Sequence, residues 1–155
     1  MSQSMLPTQQ DAEMLPMAEF LCFATYAANN AFGRVYRPLL DRLELTYPQY
    51  LVMVSLWEQD GQPVGAIGQK LFLESNTLTP LLKRLEAVGY VTRSRAVHDE
   101  RQVIVRLTEK GAALRQEAVK VPGCMFDILG LDMDVLARIR GDLRMLRERL
   151  ANAAG

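Results

Sequence analysis

Apolar positions divide the chain into a helical start, a mixed middle and a helical end. From Pro16 to Glu44, Phe20, Ala24, Ala27, Ala28, Ala31, Val35 and Leu39 recur at helical spacing, which predicts one long helix. Residues 1–15 are polar and irregular, and a mobile arm is expected there. Thr46-Tyr47-Pro48-Gln49 restarts the helical pattern. Thr46 fits an N-cap, Pro48 an early helical position and Gln49 the reciprocal partner of a capping box. This helix is expected to reach about Gln59, where Asp60-Gly61 ends it. Pro63 opens a short helix with Val64, Ile67 and Leu71 on one face. After a break carrying Glu74, Ser75 or Asn76 is expected to cap a helix that runs to about Val88 and stops at Gly89. Pro80 then falls just inside that helix, where its missing N–H costs least.

The period next changes from helical to alternating. Val91–Arg95 and Val103–Leu107 are β-branched and read as a two-stranded hairpin, with His98-Asp99-Glu100-Arg101 in a long charged tip. Thr108-Glu109-Lys110-Gly111 begins a helix to about Val121, and Pro122-Gly123 is expected to interrupt it. A last helix, about Asp132 to Ala151, carries Val135, Leu136, Ile139, Leu143, Leu146 and Leu150 at spacings of three and four. Helix, turn, helix and hairpin in this order spell a winged helix-turn-helix in a mainly α (α+β) fold.

Composition narrows the function classes. Apolar residues make up 49% of the 155, enough for a core, so a wholly disordered chain is excluded. No apolar run approaches the roughly 18–20 residues of a membrane span. No Lys or Arg precedes Arg34, and no continuous apolar stretch resembles a secretory signal, so the cytoplasm is expected. Cys22 and Cys124 are too few for a disulfide scaffold, and His98 is the only histidine, so neither a metal site nor a cofactor is expected.

The formal net charge is zero, which sits awkwardly with binding to phosphates. The distribution answers this in part. From Lys83 to Arg106 six basic residues face three acids, while Met1 to Gly33 holds three acids and no base. The recognition helix would present Ser75, Asn76, Thr77 and Thr79, with Lys83 a turn later, to base edges and phosphates. Leu78, Leu81, Leu82 and Leu85 would form its core face. The hairpin offers Arg93, Arg95 and Arg101 to a narrow minor groove, and Asp99 is placed to brace Arg101 by a charge-assisted hydrogen bond. The plain alternative for any one arginine is a charge that keeps an edge strand soluble.

Asp99-Glu100-Arg101 followed by Val103-Ile104-Val105-Arg106-Leu107-Thr108-Glu109-Lys110-Gly111 closely resembles the wing and following helix start of MarR-family transcription regulators. The resemblance extends over nearly the whole chain. It implies a homodimer on a palindromic, double-stranded operator, usually as a repressor and not as an enzyme. Residues 16–45 and 108–151 would form the helical dimerisation region. Residues 46–107 would be the DNA-binding domain, with the recognition helix at about 76–88 and the wing at about 90–107.

Cys22, Tyr36 and Tyr47, with Asn29-Asn30-Ala31-Phe32-Gly33-Arg34, further resemble the organic hydroperoxide resistance regulators, the OhrR subgroup. That resemblance implies that Cys22 is a peroxidatic sensor, that Tyr36 and Tyr47 hydrogen-bond to it, and that an organic or lipid hydroperoxide is the inducer. A second cysteine near Cys124 marks the subgroup's two-cysteine version, in which an intersubunit disulfide forms and DNA is released. Geometry adds one constraint. Cys22 and Tyr36 lie 14 residues apart, so on one straight helix they share a face within about 40° but are separated by ~21 Å. Any contact between them must cross a dimer interface.

Other readings remain open from sequence. Cys22 is equally a small buried hydrophobe, and Cys124 an incidental loop cysteine. A MarR-type regulator responding to a phenolic or aromatic ligand in the dimer cleft is the nearest alternative. A thiol peroxidase fits poorly, because Cys22 is mid-helix and one hairpin is not an α/β scaffold.

Overall fold

The computed structural model describes residues 14–154, and within them the first apolar stretch is not one helix. A 3-10 turn at Met17–Glu19 precedes α1 (Leu21–Asp41), and Phe20 between them is extended (φ −72°, ψ 121°). No side chain caps the Pro16 end, so the first turn closes instead through the Glu19 N–H to the Pro16 carbonyl at 2.9 Å. At the other end the amides of Leu43 and Leu45 both return to the Leu40 carbonyl, and Glu44 adopts a left-handed φ of 55°. This corner brings Leu40, Leu43 and Leu45 into the core, and it ends the helix before the expected Glu44. Residues 1–13 of the expected mobile arm lie outside the described residues.

Local capping chemistry sets the next element. Thr46 Oγ1 accepts from the Gln49 amide (3.4 Å), Gln49 Oε1 accepts from the Thr46 amide (2.9 Å), and α2 (Tyr47–Glu58) follows. A two-residue strand, β1 (Gln62–Pro63), then pairs with the hairpin. It is too short for any alternation to announce it. α3 (Val64–Leu71) and α4 (Ser75–Val88) complete the helix-turn-helix. Neither Ser75 nor Asn76 caps α4: Glu74 holds the N-cap position and no side-chain cap bond forms. Pro80 is therefore the sixth residue of the helix, and its missing N–H withholds a bond from the Asn76 carbonyl, on an exposed helix face open to water. Gly89 ends α4 at φ 86°, as a left-handed stop requires.

The wing has the expected bounds. β2 (Val91–Arg95) and β3 (Val103–Leu107) run antiparallel from Val91 opposite Leu107 to Arg95 opposite Val103. With β1 they form a sheet in the order β1-β3-β2. Thr108 Oγ1 accepts from the Gly111 amide at 3.0 Å and caps α5 (Glu109–Ala113). Gly111 is required there, because a Cβ would stand 2.0 Å from the Tyr90 carbonyl oxygen.

α6 (Arg115–Ala118), α7 (Lys120–Leu129) and α8 (Met133–Ala153) finish the chain. The expected break at Pro122-Gly123 falls earlier, at Val119 (φ −64°, ψ −18°). Pro122 has no N–H for the Ala118 carbonyl and its ring crowds that group, so the helix tightens one turn upstream of the proline. Cys124 consequently sits inside α7 and not in a loop. The core is centred on α2: Val52, Met53 and Leu56 pack with Ile67, Leu78, Leu82, Leu85, Val91 and Val105, and Leu81 adds a partly buried edge. α8 buries no residue, although its apolar spacing is that of a packed helix; Ile139, Leu143 and Leu150 are all exposed.

Candidate functional site

Two separate constellations stand out, one at the wing and one along α1. At the first, Ser75 and Thr79 of α4, Arg93 of β2 and Arg101 of the wing loop line one groove. Gln69 of α3 and Gln102 of the wing loop join them. Those two were not singled out from sequence, because a polar residue on a helix surface or strand edge carries no mark of its own. Asn76, Thr77 and Lys83 are exposed on α4 outside this groove. Thr79 Oγ1 donates to the Ser75 carbonyl (2.8 Å), so its hydroxyl is already engaged along the helix.

The wing arginines divide by task. Arg93 Nε donates to Glu86 Oε2 at 2.7 Å, an ion pair that ties β2 to α4. Arg95 Nη1 donates to the Glu100 carbonyl at 2.8 Å and holds the tip closed. The expected brace between the side chains of Asp99 and Arg101 is replaced: Asp99 Oδ1 accepts from the Arg101 amide at 3.0 Å. The carboxylate shapes the turn, as aspartate does two residues before an amide. Among the described residues no ion pair holds the Arg101 guanidinium.

The second constellation is spread along α1. Cys22, second residue of that helix, is exposed. Tyr36, three-quarters of the way along, packs its ring 4.6 Å from that of Tyr47 and 6.3 Å from that of Tyr50. Burial, then the neighbouring Tyr47 and Tyr50, push the Tyr36 phenol up to about 12. Burial raises Tyr47, and burial with Tyr47 raises Tyr50. All three remain protonated hydrogen-bond donors at neutral pH.

Cys124 is exposed in α7, at a cavity it shares with Pro38, Leu39, Arg42, Leu43, Glu117 and Lys120. Pro38 is 16 residues beyond Cys22 on α1, which is ~24 Å of helix. A disulfide needs Cα atoms within about 7 Å. The two cysteines of one chain thus stand near opposite ends of α1, whereas Tyr36 and Cys124 stand near the same end. Among the described residues no group of three or more His, Cys, Asp or Glu side chains could hold a metal ion, and no helix is long and apolar enough to cross a membrane.

The chain resembles known proteins over most of its length. Residues 34–118, more than half of the chain, match the family described as Transcriptional regulator SarA/Rot. The HTH-type transcriptional regulator TtmR of Methylorubrum extorquens is 50% identical over 135 residues, covering 87% of this chain and 69% of that protein. The organic hydroperoxide resistance transcriptional regulator of Bacillus subtilis is 43% identical over 130 residues, covering 84% and 88%. The structure is similar to that of reduced AbfR bound to DNA, a protein of Staphylococcus epidermidis. The TM-score is 0.78 at 33% identity, covering 90% of this chain and 95% of that one. The disulfide-formed state of AbfR matches with a TM-score of 0.63 at 37% identity, covering 84% and 91%.

Proposed function

The chain belongs to the SarA/Rot family of MarR-like winged-helix transcriptional regulators and is a homologue of the organic hydroperoxide resistance regulators, and from that premise we propose that it is a peroxide-sensing repressor switched by its two cysteines. In this reading a reduced homodimer holds a palindromic operator through the exposed face of α4, the wing and the groove between them. Ser75, Asn76, Thr77, Thr79, Lys83 and Arg101 face the DNA, while Arg93, Arg95 and Asp99 shape the surface that does so.

The observation that carries the switch is the layout along α1. Tyr36, Tyr47 and Cys124 gather near one end, and an exposed Cys22 stands ~24 Å away near the other. A twofold axis that crosses two α1 helices antiparallel brings each Cys22 to the Tyr36, Tyr47 and Cys124 of the partner subunit in one stroke. The phenols, protonated at neutral pH, can then donate to a Cys22 thiolate and favour its ionised form. The thiolate attacks an oxygen of an organic hydroperoxide and becomes sulfenic acid; the O–O bond breaks, and the alkoxide takes up a proton and leaves as the alcohol. The thiol of Cys124 from the partner subunit then displaces water from the sulfenic acid and closes an intersubunit disulfide. Neither residue can reach its counterpart within one chain, so the covalent step pulls on both subunits, and the DNA-reading lobes leave the spacing an operator demands.

The apolar faces of α1, α7 and α8 support the dimer. Leu21, Phe32, Phe126, Ile128, Ile139 and Leu143 are exposed in the single chain, and large apolar side chains clustered on exposed helices mark a surface for association. A gel-shift titration tests the reading. Cumene hydroperoxide releases the wild-type protein from its operator, a thiol reductant restores binding, and Cys22→Ser stays bound throughout. Release of Cys22→Ser at the same peroxide dose would overturn it.

A further inference from the structure

The corner between α3 and α4 carries a residue that neither the core nor the DNA-facing groove explains. Phe72 ends α3 in the left-handed region (φ 56°, ψ 39°), where glycine is favoured and an aromatic residue is strained. The residue is 68% exposed. Gly89 meets the same demand at the end of α4 without a side chain, so backbone geometry does not ask for a ring at position 72. The corner is also stiff. The Leu73 amide bonds to the Gly68 carbonyl at 2.9 Å, and the Leu73 carbonyl oxygen lies 2.8 Å from where a Cβ on Gly68 would stand. Only Leu73 and Glu74 separate Phe72 from Ser75, where the recognition helix begins.

The ring has a partner on α8. The guanidinium carbon of Arg147 lies 4.3 Å from the Phe72 ring centroid, well inside cation–π range. Among the described residues no hydrogen bond or ion pair joins α8 to residues 46–107; the ion pair of Arg147 is with its neighbour Glu148, at 3.6 Å. α8 buries nothing within this chain. The Arg147–Phe72 stack is thus the polar link between the C-terminal helix and the helix-turn-helix corner.

We propose that Arg147 is a positioning residue for DNA recognition: stacked on Phe72, it registers α8 against the helix-turn-helix corner and fixes the placement of α4 relative to the dimerisation helices. This rests on the reading of residues 46–107 as the DNA-binding module and of α8 as part of the dimer. A dimer must hold two recognition helices about one DNA turn apart. Loss of the stack therefore weakens binding to a complete palindrome and leaves binding to a single half-site unchanged. A direct DNA contact would weaken both.

The experiment uses the whole 155-residue chain and duplexes that the wild type enriches from a random pool. Arg147→Ala loses about two- to five-fold in affinity for the enriched palindrome, with half-site affinity, thermal midpoint and dimer mass unchanged. Arg147→Lys, which keeps a cation over the ring, recovers most of the loss. Phe72→Leu matches Arg147→Ala, and the double variant is no weaker than either single one. Additive losses, equal loss on the half-site, a dissociated dimer or an unaffected Arg147→Ala would overturn the proposal while the regulator reading stands. Failure of the wild type to enrich any palindrome would instead remove the reading on which the proposal rests.

Discussion

Tyr36 has its chemistry changed most by its surroundings, and the change has a definite sign. Its phenol is raised from 10.0 to about 12, chiefly by burial, so folding favours the protonated form. The stability this contributes is complete below about pH 10 and is lost as pH rises from there through about 12. Urea unfolding across that window should therefore show the wild type losing stability more steeply with pH than Tyr36→Phe. The same substitution removes a donor from the proposed thiol site and should slow oxidation of Cys22, read as the rate of thiol loss under limiting peroxide. Residues acting through near neighbours were legible in the sequence. Thr46 and Gln49 close their capping box three residues apart, and Gly89 turns the chain where it stands. Asp99 was legible as a wing brace but not in its partner, because sequence spacing does not distinguish the Arg101 amide from its guanidinium.

At the scale of elements, hydrophobic period located every principal helix and both wing strands, and the errors have separate physical causes. Pro122 displaced the break to Val119 because a proline perturbs the carbonyl four residues before it. β1 escaped notice because its pairing with β3 is a long-range fact that two residues do not encode. The apolar face of α4 is explicit: Leu78, Leu82 and Leu85 are all but fully buried. Leu82→Ala should cost about 2–5 kcal/mol of unfolding free energy through lost burial and a residual cavity, measurable by chemical denaturation. The polar face has a different signature. Arg101→Ala should weaken operator binding and lower the slope of log affinity against log salt by about one, if its guanidinium neutralises one phosphate. Arg93→Ala should leave that slope nearly unchanged, because Arg93 is engaged with Glu86.

At the scale of the whole molecule, the proposed function gives two differently charged stretches of the sequence two tasks. The basic stretch from Lys83 to Arg106 covers the C-terminal part of α4 and the wing, and the acidic start leads into α1 with its exposed thiol. That a thiol site built from Cys22 and Tyr36 would be divided was already legible in their 14-residue separation on one helix; what the sequence could not convey is that Cys124 lies near the Tyr36 end of α1. Cys22 and the Tyr36–Tyr47 pair belong to one chain but not to one place, and only a second subunit can unite them. Leu143→Arg on the exposed apolar face of α8 should accordingly dissociate the dimer in sedimentation and abolish peroxide-driven cross-linking.

The central claim is that the switch works between subunits, and mixed dimers test it directly. In a dimer of one Cys22→Ser chain with one Cys124→Ser chain, the surviving Cys22 and Cys124 lie in different subunits. In a dimer of one wild-type chain with one chain lacking both cysteines, they lie in the same subunit. Each is treated with one equivalent of cumene hydroperoxide and resolved on a non-reducing gel. The account predicts a covalent dimer from the first pairing alone; a covalent product from neither pairing, or an intrachain disulfide in the second, would contradict it.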